Sequence, residues 1–246
     1  MNTDWTIHFY PEVSSTQDVA KKMIEDGTTD YFVVQAAHQT KGRGRSGRQW
    51  SSLEGNLQAT ICIPMNFDVA HAANYSFLMS VAVSSALEEF LGNQVASSHK
   101  IQHKWPNDVW VDGRKICGIL LEIHEPYLVI GCGINLQSCL DENICLAQLT
   151  SGELDVRSFL ELVLSKIDLY RGVLSGKGFA AILDLWLAKA RGIGEEITVR
   201  TETDSFVGIF EGLEPTGALR VWVRDEGRES PRIIHSADVF FSQNVN

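Results

Sequence analysis

A chain of 246 residues with 44% hydrophobic and 21% charged side chains can bury a full core, as one large or two unequal units. Its formal net charge of -10 argues against general affinity for nucleic acid, whose binders carry basic surface to displace counterions. Five cysteines without CxxC pairing indicate neither a zinc knuckle nor a disulfide framework, MNTDWTIHFY lacks a leader's basic and apolar regions, and no apolar run reaches the ~18 residues of a membrane span, so a cytoplasmic location with no membrane contact is expected.

A short strand is expected near Thr6 to Tyr10. Ser15-Thr16-Gln17-Asp18 then opens VAKKMIEDG, where Ser15 and Asp18 have capping-box spacing and Gly27 suits a helix end. Tyr31 to Ala37 is β-rich, a Gly-Arg loop follows to Trp50, and Leu57 to Pro64 resumes as a strand after the turn signal Glu54-Gly55-Asn56. Ala72 to Leu91, mostly apolar and free of Gly and Pro, reads as a buried helix stopped by Gly92. His99 to Trp105, Val109 to Val111, Ile116 to Ile123 and Leu128 to Ile134 read as strands, with Asp112-Gly113 as a hairpin turn. Arg157 to Leu174 and Phe179 to Ala190 add two helices before the candidate linker Arg191-Gly192-Ile193-Gly194. Only short strands follow: ITVR, SFVGIFEGL, ALRVWVRD and RIIHSADVFF. The expected architecture is α/β, a mixed sheet backed by helices over residues 1–190, with a small β-barrel over residues 191–246.

Lys41-Gly42-Arg43-Gly44-Arg45-Ser46-Gly47-Arg48 concentrates four of the chain's 21 basic residues in an otherwise acidic protein. Glycines permit close backbone approach and arginines offer planar forks for carboxylate and phosphate, so the loop is suited to gripping an anion and is expected to order around one. The alternative is a solvated basic loop. The run also fits GxGxxG, but Gln49-Trp50-Ser51-Ser52 leads into a turn and strand rather than a helix, which excludes a dinucleotide fingerprint.

Three later segments carry unusual polar content. Gly118 interrupts the bulky strand Ile116 to Glu122, a mark of close approach by a ligand or another backbone, and Lys115 opens that strand, either solvated or paired with a bound anion. Lys104-Trp105-Pro106-Asn107-Asp108 sets a cation, an aromatic and two hydrogen-bonding groups around a turn. Gly131-Cys132-Gly133-Ile134-Asn135 is a glycine-bracketed strand end suited to backbone contact with a ligand, or equally to a bulge. Cys117 and Cys132 read as packing residues, and the seven histidines show no HExxH or other ligand spacing.

Taken in order, Gln39 with Gly42 to Trp50, then Lys104 to Asp108, then Gly113 to Leu120, then Gly131 to Asn135 resemble the motifs of the biotin protein ligases, and the likeness runs from about Ser15 to Phe241. It implies a class II synthetase-like core followed by an SH3-like barrel, in a short form without the helix-turn-helix that makes many members repressors. It further implies that Ser15, Thr16, Gln17, Gln39 and the backbone near Gly118 hold biotin, with Gln17 standing where the family pattern has Asn. Arg43, Gly44 and Arg45 would close over biotin and phosphate, and Lys115 would bridge carboxylate and α-phosphate. Trp50, Asn107, Gly133 and Asn135 would face the nucleotide, with Asp108 near the metal-bound phosphates.

The implied reaction joins biotin to ATP as an acyl-adenylate and passes it to a lysine of a biotin carboxyl carrier domain of acetyl-CoA carboxylase or a related carboxylase. Mg²⁺ would arrive with ATP, no metal being fixed by protein alone, and the catalytic set would be Lys115, Arg45 and Asp108. A homodimer is a possible assembly. Two alternatives stand beside this: a lipoate or other acyl-protein ligase of related fold, expected to lack the arginine-glycine loop, and a non-catalytic biotin sensor, which retention of Lys115 with both arginines disfavours.

Overall fold

The computed structural model describes residues 3–225 and 228–241. Strands β1 (Thr6–Val13), β2 (Phe32–Gln39), β3 (Leu57–Pro64), β4 (Ile101–Lys104), β5 (Asp108–Val111), β6 (Arg114–His124) and β7 (Tyr127–Ile134) form one sheet in the order β1-β2-β3-β7-β6-β5-β4. Only β1 and β2 pair in parallel, so the sheet is mixed. The Asp112-Gly113 turn between β5 and β6 has both residues at positive φ, the geometry that matches strand twist in a two-residue hairpin.

The two faces of the sheet are covered unequally. Helix α2 (Asn74–Ala96) packs on one face, with α3 (Val156–Lys177) and α4 (Phe179–Leu187) against it. α2 is apolar nearly all round because it is enclosed by the sheet and the other helices, with Leu78, Met79, Ala82, Val83 and Leu87 fully buried, each large side chain worth about 1.5–3 kcal/mol of burial. Its regular path ends at Gly92, whose φ of 71° and ψ of 157° break the helix before a last turn to Ala96. Only α1 (Thr16–Glu25) covers the opposite face, packing Ala20 and Ile24 against Phe32, Val34 and Tyr127 and leaving the rest of that face open. The capping box expected at its start does not form: Ser15 is the N-cap but makes no side-chain cap bond, and Asp18 is engaged elsewhere by Arg43.

The chain then crosses to a second sheet by way of the free edge of β4. His103 N–H donates to Lys189 O at 2.8 Å and Arg191 N–H donates to His103 O at 2.8 Å, which pairs an otherwise exposed edge. Gly192 follows at φ +86°, and an added Cβ would lie 2.0 Å from the Phe241 ring, so glycine is required there. The second sheet, antiparallel, runs β11-β10-β9-β8-β12 from β8 (Glu196–Arg200), β9 (Ser205–Leu213), β10 (Leu219–Asp225), β11 (Arg228–Ile234) and β12 (Asp238–Phe241). It docks on the first through the Trp105 indole, which donates to Gly217 O at 3.0 Å, and through Lys104, whose ammonium lies 4.6 Å from the Trp110 ring centre and 5.8 Å from those of Phe240 and Phe241. Burial in that aromatic box pulls Lys104 down to about 8.

His103 ties this junction to the helices. Its ring is fully buried, with Nδ1 3.0 Å from Trp186 O and Nε2 2.9 Å from Ser84 Oγ. Burial pulls its pKa from 6.5 to about 4. The folded ring therefore stays neutral while the unfolded one gains a proton below pH 6.5, so its contribution is complete above that pH and is lost as pH falls towards 4. Denaturant unfolding at pH 7 and pH 4.5 should show an acid-dependent loss of about 2–3 kcal/mol that is absent from His103→Gln; equal losses in both proteins would contradict it.

Candidate active site

Strand register builds the floor of the open face. Gln58 on β3 pairs with Gly133 on β7, Gly133 with Gly118 on β6, and Gly118 with Asp108 on β5. Because side chains alternate between faces, these four share one row and one face, and the two central positions have no side chain. The result is a trough across the sheet. One row along, Thr60 pairs with Gly131 and Gly131 with Leu120, which widens it. Cys117 and Cys132 point the other way into the core, their sulfurs 3.9 Å apart, and burial pushes the Cys117 thiol well up, as suits packing residues.

Trp50 lies in this trough. An added Cβ at Gly133 would sit 2.3–2.7 Å from its indole atoms, and one at Gly118 would be 3.0 Å from both the indole and Lys115 Nζ. Lys115 reaches this face because β5 and β6 slip register between Val109 and Trp110, a bulge that reverses the alternation. Its ammonium pairs with Asp108 Oδ1 at 2.7 Å and stands 5.5 Å from the Trp50 ring centre. It is thus neither simply solvated nor buried alone.

The Gly-Arg loop folds as a small hairpin over one end of the trough. Arg43 bridges Gln49, Gly44 N–H donates to Arg48 O at 2.7 Å, and the tip is a 3-10 turn at Arg45–Gly47. Each of its guanidiniums has a protein partner. Arg43 forks onto Asp18 at 2.7 and 2.9 Å, hydrogen bonding that holds the Asp18 carboxyl below its usual range and raises Arg43. Arg45 donates to Ser236 Oγ at 3.1 Å and Ala237 O at 3.4 Å, and its burial lowers its pKa. Arg48 pairs with Asp238 at 2.8 Å, so two of the three contacts reach the second sheet.

Beside the loop the lining is polar and neutral. Gln39 Oε1 accepts the Thr16 N–H at 2.8 Å and the Thr16 hydroxyl at 3.1 Å, the Thr60 hydroxyl donates to Thr16 Oγ1 at 2.7 Å, and Gln17 donates to Leu120 O at 3.4 Å. Thr16, Gln17, Gln39, Arg43, Gly44, Arg45, Trp50, Asn107, Asp108, Lys115, Gly118 and Gly133 all line one cavity of about 150 Å³. Two sequence candidates are placed differently: Ser15 is buried at the helix start and does not line the cavity, while Asn135 lines an adjoining cavity of about 170 Å³ with Leu140 and Asn143. Gln49, Trp50 and Lys115 line both, so the compartments meet at Lys115. Asn107 and Asn135 spend their amide N–H groups on Ile119 O and Ile144 O, holding the strand and loop around the site.

Sequence reasoning missed Gln58, which reads as an ordinary strand residue until register shows its face, and Asn143, which only tertiary folding brings beside Lys115. It also took Asn56 for a plain turn signal, whereas its Oδ1 accepts N–H bonds from Leu136, Gln137 and Ser138 and so shapes the loop after β7. For a metal, the donor set does not suffice: among the described residues no three His, Cys, Asp or Glu side chains converge, and Asp108 is the one carboxylate on the cavity lining.

Cationic and neutral polar side chains thus line one glycine-floored cavity on the open face of a mixed sheet. Residues 9–135 match the model of the biotin/lipoate A/B protein ligase family, and the chain belongs to that family. Residues 192–242 match the biotin protein ligase C-terminal domain, which puts the chain on the biotin side of the family. It is 33% identical over 222 residues to the biotin--[acetyl-CoA-carboxylase] ligase of Paracoccus denitrificans, covering 85% of this chain and 89% of that one. The biotin protein ligase of Aquifex aeolicus in complex with biotin and ATP superposes with a TM-score of 0.80 at 26% identity, covering 96% and 99% of the two chains. The Leishmania major biotin protein ligase in complex with biotinyl-5-AMP gives 0.63 at 25% identity, covering 94% and 99%.

Gly133→Ala is expected to expel the Trp50 indole from the trough, since its methyl would lie within 2.7 Å of the ring. Tryptophan emission should shift to the red relative to wild type, and the shift should vanish in a Trp50→Phe background; an unshifted spectrum would mean Trp50 is not held over Gly133.

Proposed function

We propose that this chain activates biotin with ATP as biotinyl-5'-adenylate and transfers the biotin to a lysine of a carboxylase's biotin carboxyl carrier domain. The observation that carries this reading is the placement of Lys115 between the two cavities, where a carboxylate in one and an α-phosphate in the other would meet. The relatives' biotin, ATP and biotinyl-5-AMP complexes support it. Biotin's ring end takes the neutral wall of Thr16, Gln17 and Gln39, with Ser15 acting through the helix start, and its carboxylate faces Lys115, Arg43 and Arg45. Trp50, Asn107, Gly133 and Asn135 border the nucleotide.

Catalysis is electrostatic. Bringing a carboxylate to a phosphate concentrates negative charge, and Lys115 with the two arginines offsets it as the biotin oxygen attacks the α-phosphorus and pyrophosphate departs. Lys115 leaves Asp108 for the ligand, and the carrier lysine's amine then displaces AMP from the anhydride. Mg²⁺ would arrive with the nucleotide, and Asp108, a carboxylate on the cavity lining, would stand near its phosphates. Residues 1–190 form the ligase unit and residues 191–246 a second unit whose Ser236, Ala237 and Asp238 anchor the loop over the site. The enzyme works in the ATP-rich cytoplasm, without nucleic acid.

Pyrophosphate release requiring both ATP and biotin tests the activity; release with lipoate and none with biotin would assign the other branch of the family. Lys115→Ala should slow adenylate formation by about 10²–10³-fold, the usual cost of losing one charge-stabilising donor. An adenylation rate equal to wild type would remove Lys115 from the mechanism. Arg45→Gly frees the loop tip from Ser236 and Ala237, so the adenylate should still form but escape sooner. With biotin, ATP and albumin present, this variant should biotinylate albumin more than wild type does; equal labelling despite measurable adenylate would show that Arg45 does not retain the intermediate.

A further inference from the structure

We propose that Gln58 determines specificity for the ring end of the substrate, donating a hydrogen bond to the ureido oxygen of biotin; the assignment rests on the biotin-ligase reading. Gln58 is 1% exposed, lies in the glycine row and faces the cavity. The two ends of its amide are in opposite states. Oε1 accepts the Trp50 indole N–H at 2.8 Å and the Gln39 amide N–H at 3.4 Å, whereas Nε2 has no partner. An indole N–H can only donate, so the Gln58 oxygen must face Trp50 and the NH₂ must point elsewhere.

A buried donor without an acceptor is costly, and one lining a ligand cavity is relieved when the ligand brings the acceptor. The neighbouring polar side chains each have a protein acceptor already, Gln17 at Leu120 O and Gln39 at Gln58 Oε1. Both Thr16 donors are taken by Gln39 Oε1, and the Thr60 hydroxyl is taken by Thr16. Gln58 accepts from Gln39, which holds Thr16, so it stands with the polar groups assigned to the fused rings, while Lys115 is assigned to the carboxylate. Those rings carry two acceptors, and the ureido carbonyl is strong where the thioether is weak.

The test is titration calorimetry of biotin into the full chain without ATP, for wild type, Gln58→Leu and Gln58→Glu, each checked by thermal melt. Gln58→Glu keeps an oxygen for Trp50 and replaces only the donor, so it carries the prediction even if the leucine variant fails to fold. Each folded variant should raise the Kd for biotin by about tenfold or more, as expected for one lost buried hydrogen bond. The KM for ATP should not change in Gln58→Glu, which keeps the oxygen that holds Trp50. Desthiobiotin, which keeps the ureido ring and lacks the sulfur, should be weakened by the same factor. Unchanged biotin affinity, an equal loss for ATP in Gln58→Glu, or a loss that disappears with desthiobiotin would each overturn the assignment. Failure of wild type to bind biotin at all would instead overturn the ligase reading beneath it.

Discussion

Register between β3, β7, β6 and β5 is the constraint on which the site depends. A sheet interior is normally filled by side chains on both faces, yet here Gly133 and Gly118 meet across neighbouring strands and leave a channel one residue wide. A one-residue slip of β7 would turn Cys132 into the trough and both of its flanking glycines into the core, closing the site and opening a void at once. The covered face prevents that slip, because Leu128, Ile130 and Ile134 are buried beneath α2 and its neighbours. Packing on one face therefore fixes the chemistry on the other.

The second sheet contributes in the same indirect way. Its strands place no residue on the lining of the trough, but Ser236, Ala237 and Asp238 hold Arg45 and Arg48. Trp105, Lys104 and the segment that pairs with His103 lock this sheet to the β4–β5 end of the first. The position of the Gly-Arg loop is thus set by residues nearly 200 places further along the chain.

Much of this was legible in the sequence because local signals agreed with the fold. The alternating strands, the Gly92 break and the Asp112-Gly113 turn follow from rules that act over a few residues, and the motif glycines announced close approach. Misreadings arose where long-range partners override local ones. Asp18 has the spacing of a capping residue, but a forked arginine is a stronger partner than a backbone amide at its own helix end. The protein partners of the Gly-Arg loop, acceptors on α1 and on a distant sheet, were likewise invisible to spacing. Lys115 falls on the site only through a bulge, and Gln58 only through register, neither of which composition records.

The occupied state of the cationic groups carries a further consequence. Arg43, Lys115 and Arg48 each hold a carboxylate of the protein itself, Asp18, Asp108 and Asp238. An anionic ligand at any of these cations would therefore exchange one charged partner for another instead of neutralising a bare cation. Such an exchange would draw less on the ionic atmosphere than pairing with bare cations, so fit within the trough would weigh more in a ligand's affinity.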